Sequence, residues 1–246
     1  MSNSSLVLHT FYFSNYCEKV KWALQYKQMP FRERYHLPFL HMRHISRISG
    51  QTAVPVISLG DQVTAGSAAI IQELEEQSSR NSLYPSDQND CARALAWQDQ
   101  IDAVGPSIRG AMFHDFLGDR YFFFRMLTAG QSGLKFSAYK LFFYGMFPRF
   151  RKMLNKHVPD PEGLRHKTLT VLDQVAKQVE KRGYLAGDQF SIADLTAASL
   201  LYPLFFPPST PGADIVSSTP VGRTWLARWN NHPVKDYVAS VYARHR

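Results

Sequence analysis

Residues 184–198 read "YLAGDQFSIADLTAA". Ser191 stands directly ahead of an apolar run, with Asp194 three positions on. A serine at a helix N-cap takes a backbone N–H, and an acidic side chain at the third helical position reaches back to the cap. Ile192 and Leu195 then fall on the inner face of the helix so started. This is a folding device, not a catalytic one.

On its C-terminal side, "YPLFFPPSTPGAD" (202–214) breaks the helix, and a last helix is predicted over 221–242. On its N-terminal side, helical periodicity covers 90–117, 119–128, 136–155 and 161–182, with the capped helix itself over 191–202. Before these helices, "SSRNSLYPSDQND" (78–90) is polar, aperiodic and carries Pro85. The first 80 residues are built differently. "SLVLHTFYF" (5–13) reads as a strand, and Cys17, Val20 and Leu24 recur at helical steps, with Asn15 as N-cap and Glu18 completing its box. "FRERYHL" (31–37) and "VPVISL" (54–59) read as strands, Gly60-Asp61 as a hairpin turn, "QVTAG" (62–66) as the returning strand, and a helix opens at Ser67. The domains expected are therefore 1–80 (α/β), a linker at 81–89 and an all-helical 90–246.

The chain of 246 residues is 45% hydrophobic and 20% charged, which suits a folded protein. Its formal charge of +8 is uneven. Between Asp119 and Lys152 seven basic residues, Lys135 among them, meet one acidic residue in a segment crowded with Phe and Tyr. No recognition motif accompanies that charge, so nucleic acid is not expected as a partner. An apolar pocket or peripheral contact of residues 119–152 with anionic lipid fits the composition better. Two cysteines, Cys17 and Cys91, exclude a disulfide framework, and neither a secretory signal nor a membrane-length apolar run is read, so a cytoplasmic location is expected. His36, His41 and His44 in "HLPFLHMRH" have no zinc-site spacing, and no metal is expected.

Three separated elements resemble the cytosolic glutathione transferase superfamily. They are "SNYCEKVKWAL" (14–24), similar to its catalytic loop and first helix, "TAVPVI" (52–57), similar to its cis Val-Pro, and residues 184–198, which closely follow its second-domain signature "FLAGDxFSIADL". "SLYPSD" (82–87) resembles its linker. The resemblance implies a thioredoxin-like α/β domain followed by an all-α domain, glutathione as co-substrate, a hydrophobic second substrate, a homodimer and a role in detoxification. It is closest to serine-type, divergent bacterial-style members.

The same residues have a physical reading. Ser14 precedes a helix N-terminus, where free N–H groups and a partial positive charge suit an anionic sulfur. Serine in place of the first cysteine of a Cys-x-x-Cys pair offers a donor hydroxyl but forms no mixed disulfide, which favours activation of a bound thiol. The resemblance assigns the backbone of Val54, beside Pro55, to the cysteinyl part of glutathione. Gln51 and Thr52, just before it, suit contact with the glycyl end, and the polarity of a loop accounts for them equally well. Ser67, at the next helix start, suits a carboxylate. The family places an acidic or amide residue before that serine, where this chain has Gly66. The position of a catalytic tyrosine falls on Thr10, so a tyrosine mechanism is not expected. Tyr12, Phe113 and Tyr121 are expected to line the hydrophobic substrate pocket. Two alternatives remain at this stage: a glutathione-dependent thiol reductase using Cys17, and a non-catalytic binder of a hydrophobic ligand, membrane or partner.

Overall fold

Alternation in the first 80 residues produces a four-stranded sheet in the order β2-β1-β3-β4, formed by β1 (Leu6–Thr10), β2 (Phe31–Tyr35), β3 (Val56–Leu59) and β4 (Gln62–Ala65). β1 and β2 run parallel, with Leu6 opposite Phe31, across the crossover helix α1 (Asn15–Tyr26). β3 is antiparallel to both β1 and β4. α2 (Met42–Ser49) and α3 (Ser67–Gln77) complete this unit. The computed structural model describes residues 5–129 and 134–246, and the side chains of Leu134 and Lys135 also lie outside the described residues.

The helical half comprises α4 (Gln88–Phe116), α5 (Arg120–Thr128), α6 (Leu134–His157), α7 (Pro161–Arg182), α8 (Ile192–Phe205), α9 (Ala213–Ser217), α10 (Pro220–Trp229) and α11 (Val234–His245). Every residue of α8 is buried, as a helix apolar on all sides must be. Ser191 and Asp194 form the capping box that starts it. Asp194 accepts from the backbone N–H of Leu185 at 2.9 Å and of Ser191 at 3.0 Å, and from the hydroxyls of Ser191 at 3.0 Å and Tyr237 at 2.6 Å. Four donors meet the carboxyl, whose pKa burial nevertheless raises. Among the described residues no helix is long and apolar enough to cross a membrane.

Three elements depart from expectation. Ser14, in extended conformation, is the N-cap of α1, because its hydroxyl takes the N–H of Cys17, while Glu18 is buried and pairs with Arg246 at 2.8 Å. The stretch between β2 and β3, for which no element was expected, holds α2, with Ile45 as its buried residue. The helix expected over 221–242 is two, α10 and α11, separated at 230–233, where Pro233 lacks the N–H a continuous helix needs.

The two halves are joined through α1. Lys19, fully buried, reaches both carboxylate oxygens of Asp102 on α4, at 2.8 and 3.0 Å. Burial pulls the Lys19 pKa down and lifts that of Asp102, and their attraction offsets part of each shift. The Asp102 carbonyl has no helical partner, since the residue four positions on is Pro106. Tyr16 donates its hydroxyl to that carbonyl at 2.7 Å, and burial pushes the phenol up to about 12. Gly105 makes room, because a Cβ there would overlap the Tyr16 hydroxyl. Trp22 Nε1 donates to the His245 carbonyl at 2.8 Å, and the Asn15 amide to that of Leu200 at 3.4 Å.

Replacing Asp102 with Ala leaves a buried ammonium without its counter-charge. Urea denaturation at pH 7 is expected to show a loss of about 3–5 kcal/mol. A loss below about 1 kcal/mol would mean that the pair does not join the halves.

Candidate functional site

β1 ends at Thr10, and four residues later Ser14 caps α1. Ser14 Oγ accepts the Cys17 N–H at 3.3 Å, which uses a lone pair and leaves the hydroxyl proton for another acceptor. Beside it lies a cavity of about 350 Å³, within the size range of small-molecule sites. Its α/β wall includes Phe13, Ser14, Thr52 and Val54. The bond from Val54 to Pro55 is cis. The facing wall comes from the helical half: Ile108, Met112 and Phe113 of α4, Leu127 of α5 and Phe150 of α6. Arg109 is the one Lys or Arg among the lining residues. Aromatic contacts fix both walls. Phe13 stacks on Phe206 at 5.6 Å, Phe113 meets Phe123 edge-on at 5.2 Å, and Phe39 touches Phe150 across the two halves at 5.1 Å.

The residues expected to hold glutathione are not all on this cavity. Ser14, Thr52 and Val54 line it, whereas Gln51, Gly66 and Ser67 do not. The Gln51 amide faces the Ala53 carbonyl at 3.5 Å. Gly66 is tied to the same corner, its N–H donating to the Pro55 carbonyl at 3.1 Å. It precedes α3 with φ at +93°, a backbone that residues with a Cβ rarely adopt, which accounts for glycine here. Ser67, the first residue of α3, is buried.

Of the three aromatics expected in the hydrophobic pocket, Phe113 lines it and two do not. Tyr12 lies in a separate depression of about 30 Å³ beside Cys17 and Tyr35, room for about one water. Tyr121 is 59% exposed on α5, packed against Tyr144 with the Arg120 guanidinium over both rings. Phe11, Phe13, Phe39 and Phe150 also line it; Phe150 belongs to the aromatic segment expected to form an apolar pocket, whereas Phe39 gave no sequence signal, since it meets Phe150 only when the halves dock. Cys17 is 1% exposed, and burial pushes its thiol up. That burial weighs against the redox role considered for Cys17, since a reactive cysteine needs access and a stabilised thiolate.

A second cluster lies outside the cavity. His9 joins His36 and His44, drawn from β1, the segment after β2 and α2. Burial, together with neighbouring positive charge, pushes His9 and His36 down to about 4.

Comparison with known proteins places the fold. The family "Glutathione S-transferase, N-terminal domain" matches residues 8–82, and "Glutathione S-transferase, C-terminal domain" matches residues 136–233. The chain belongs to the cytosolic glutathione transferase superfamily. Among solved structures it is similar to a glutathione S-transferase from Methylobacillus flagellatus with glutathione bound, at 17% identity, covering 96% of this chain and 99% of that one, with a TM-score of 0.60. A glutathione S-transferase from Methylobacterium radiotolerans, in complex with glutathione sulfonate, is 21% identical over 96% and 95% of the two chains, with a TM-score of 0.58. FzlA from C. crescentus is 19% identical over 95% and 91%, with a TM-score of 0.60. At these identities the likeness is one of fold. No curated protein matches the sequence.

The two cysteines of this transferase-fold protein provide a check on the site. A disulfide reagent added to native protein should modify Cys91, which is partly exposed, and leave Cys17 untouched until denaturant is added. Cys91→Ser should then abolish the native-state reaction. Rapid modification of Cys17 in the folded protein would restore the reductase chemistry.

Proposed function

We propose that this protein is a serine-type glutathione transferase that activates the glutathione thiol for attack on a hydrophobic electrophile. The observation that carries the proposal is the single cavity in which Ser14 and the Thr52–Val54 edge face an apolar helical wall of Ile108, Met112 and Phe113. Ser14 donates its hydroxyl proton to the thiolate, and the N-terminus of α1 adds its partial positive charge. The thiol proton passes to solvent, the sulfur bonds to the electrophilic carbon, and a leaving group departs with its electron pair. The Val54 backbone holds the cysteinyl part of the tripeptide, Thr52 and Gln51 its glycyl end, and Ser67 at the start of α3 the γ-glutamyl carboxylate. Gly66 supplies no side chain for the γ-glutamyl amino group, so affinity is expected to be weaker than where an acid or amide stands there. Glutathione bound to the Methylobacillus flagellatus relative supports the ligand class. A homodimer, a cytoplasmic location and a role in detoxification belong to the same proposal, as does the division into domains at 1–80 and 90–246.

A second reading is a non-catalytic member of the superfamily that binds a membrane or partner. It is favoured by the exposed apolar residues Leu141, Phe142, Met146 and Met153 on α6, interspersed with Lys140, Arg149, Arg151 and Lys152.

Calorimetric titration of reduced glutathione, followed by turnover of an electrophile, separates the two. Binding at micromolar to low-millimolar concentration is expected. Ser14→Ala should lower kcat/KM by about a hundredfold, as loss of one donor to a developing or bound anion does. Its stability cost should stay near 1 kcal/mol, that of a lost N-cap. No heat at ten times that range, or a variant that loses stability and no activity, would sink the transferase proposal. Co-sedimentation with anionic vesicles would then support the second reading.

A further inference from the structure

His9, His36 and His44 are far apart in sequence and meet because β1 and β2 pair in parallel and α2 folds back over their ends. The His36 N–H donates to the Thr10 carbonyl at 3.0 Å, which prolongs the pairing of β1 and β2 past Tyr35 and brings His36 alongside His9. The three ring centroids form a nearly equilateral triangle with sides of 5.3, 5.5 and 5.7 Å. One nitrogen from each ring lies within 4.8 Å of the other two. His9 Nδ1 and His36 Nε2 are 3.0 Å apart. His44 Nε2 is buried and has no hydrogen-bond partner among the described residues.

We propose that His9, His36 and His44 bind a divalent first-row transition ion of the zinc class through three imidazole nitrogens. Zinc–nitrogen bonds of about 2.0–2.1 Å in tetrahedral geometry put ligand nitrogens about 3.4 Å apart. The His9–His36 separation is already close to that value, and one His44 nitrogen lies within 4.8 Å of both. The donors are imidazole alone, which suits zinc, copper or nickel and not the hard ions magnesium and calcium. Ser58 on β3 orients His9: its Oγ lies 3.3 Å from His9 Nε2, so Nδ1 faces the cluster. In the tautomer that binds an ion, His9 carries its proton on Nε2 and His36 on Nδ1, which leaves His9 Nδ1 and His36 Nε2 as ligands.

A surface depression lined by Leu40, Arg43 and Arg47 borders the cluster on the side of His44. Arg34 faces all three histidines and Arg47 faces His44. These cations oppose further positive charge, so an anion is the expected fourth ligand. The bound ion would tether α2, whose buried residue is Ile45, to the sheet. α2 and the turn before it supply Met42 and His41 to the cavity, so the ion would also steady that wall.

Zinc titrated into chelator-treated protein, in competition with a chromogenic chelator and without glutathione or other thiols, tests the site. One equivalent should bind and raise Tm. His36→Ala and His44→Ala should each weaken binding at least tenfold and abolish the Tm rise, while the exposed control His114→Ala leaves both unchanged. His44 sits on a helix anchored mainly by its neighbour Ile45, so His44→Ala is expected to keep the fold, checked by circular dichroism. Cobalt(II) loading supplies a second readout, with visible bands of a tetrahedral nitrogen site and no thiolate charge transfer. Failure of one equivalent to bind, equal binding by both histidine variants, or a thiolate band would overturn the proposal. Because glutathione is absent throughout, the result is independent of the transferase proposal.

Discussion

Asp102 holds the two halves of the molecule in one relative position. Its carboxylate neutralises Lys19 and its main-chain carbonyl takes the Tyr16 hydroxyl, so one residue of α4 grips two residues of α1. The carbonyl is free only because Pro106 stands four residues on, and it is reachable only because Gly105 carries no side chain. A proline and a glycine that would ordinarily weaken a helix interior here form a socket. The rest follows from the docking. With Tyr16 and Lys19 fixed, the start of α1 has one orientation, and Ser14 is held over the space between α4 and the Thr52–Val54 edge.

That arrangement resolves the apparent conflict between serine as a cap and serine as a chemical group. A hydroxyl has two lone pairs and one proton. Capping uses a lone pair toward Cys17, whereas stabilising a thiolate uses the proton. Cys17, one helical turn away, is buried, and burial pushes its thiol up. The walls divide the work: polar backbone at the Val54 edge suits a peptide, and the rings of Phe113, Phe150 and Phe39 suit an apolar partner.

Legibility in the sequence followed the range of the interactions involved. The helix at Ser191–Asp194 and the strand entering through Val54-Pro55 depend on neighbours a few residues away, and both were readable. Ser14 and not Asn15 caps α1 because Asn15 is buried with its amide near the Leu200 carbonyl, a partner 185 positions distant. Tyr121 looked like a pocket residue from its aromatic surroundings, but helical phase turns it outward toward Tyr144 and Arg120. The α2 helix was hidden because its start, at His41, has no side-chain cap bond to announce it. The histidine cluster was illegible for a similar reason. The sequence shows three histidines within nine positions, but the one that completes the site with two of them lies on β1.

The proposed chemistry requires Ser14 to stabilise the thiolate of bound glutathione. The ultraviolet absorbance of that thiolate, followed against pH with the protein and with its Ser14→Ala variant, is the decisive observation. A free thiol ionises at about 8.5. Glutathione bound to the wild type is expected to ionise at least about one unit lower, a preference of about 1.4 kcal/mol for the thiolate, and the variant to lose most of the shift. A bound thiol that ionises as it does in solution, or one whose shift survives the loss of Ser14, would contradict that chemistry.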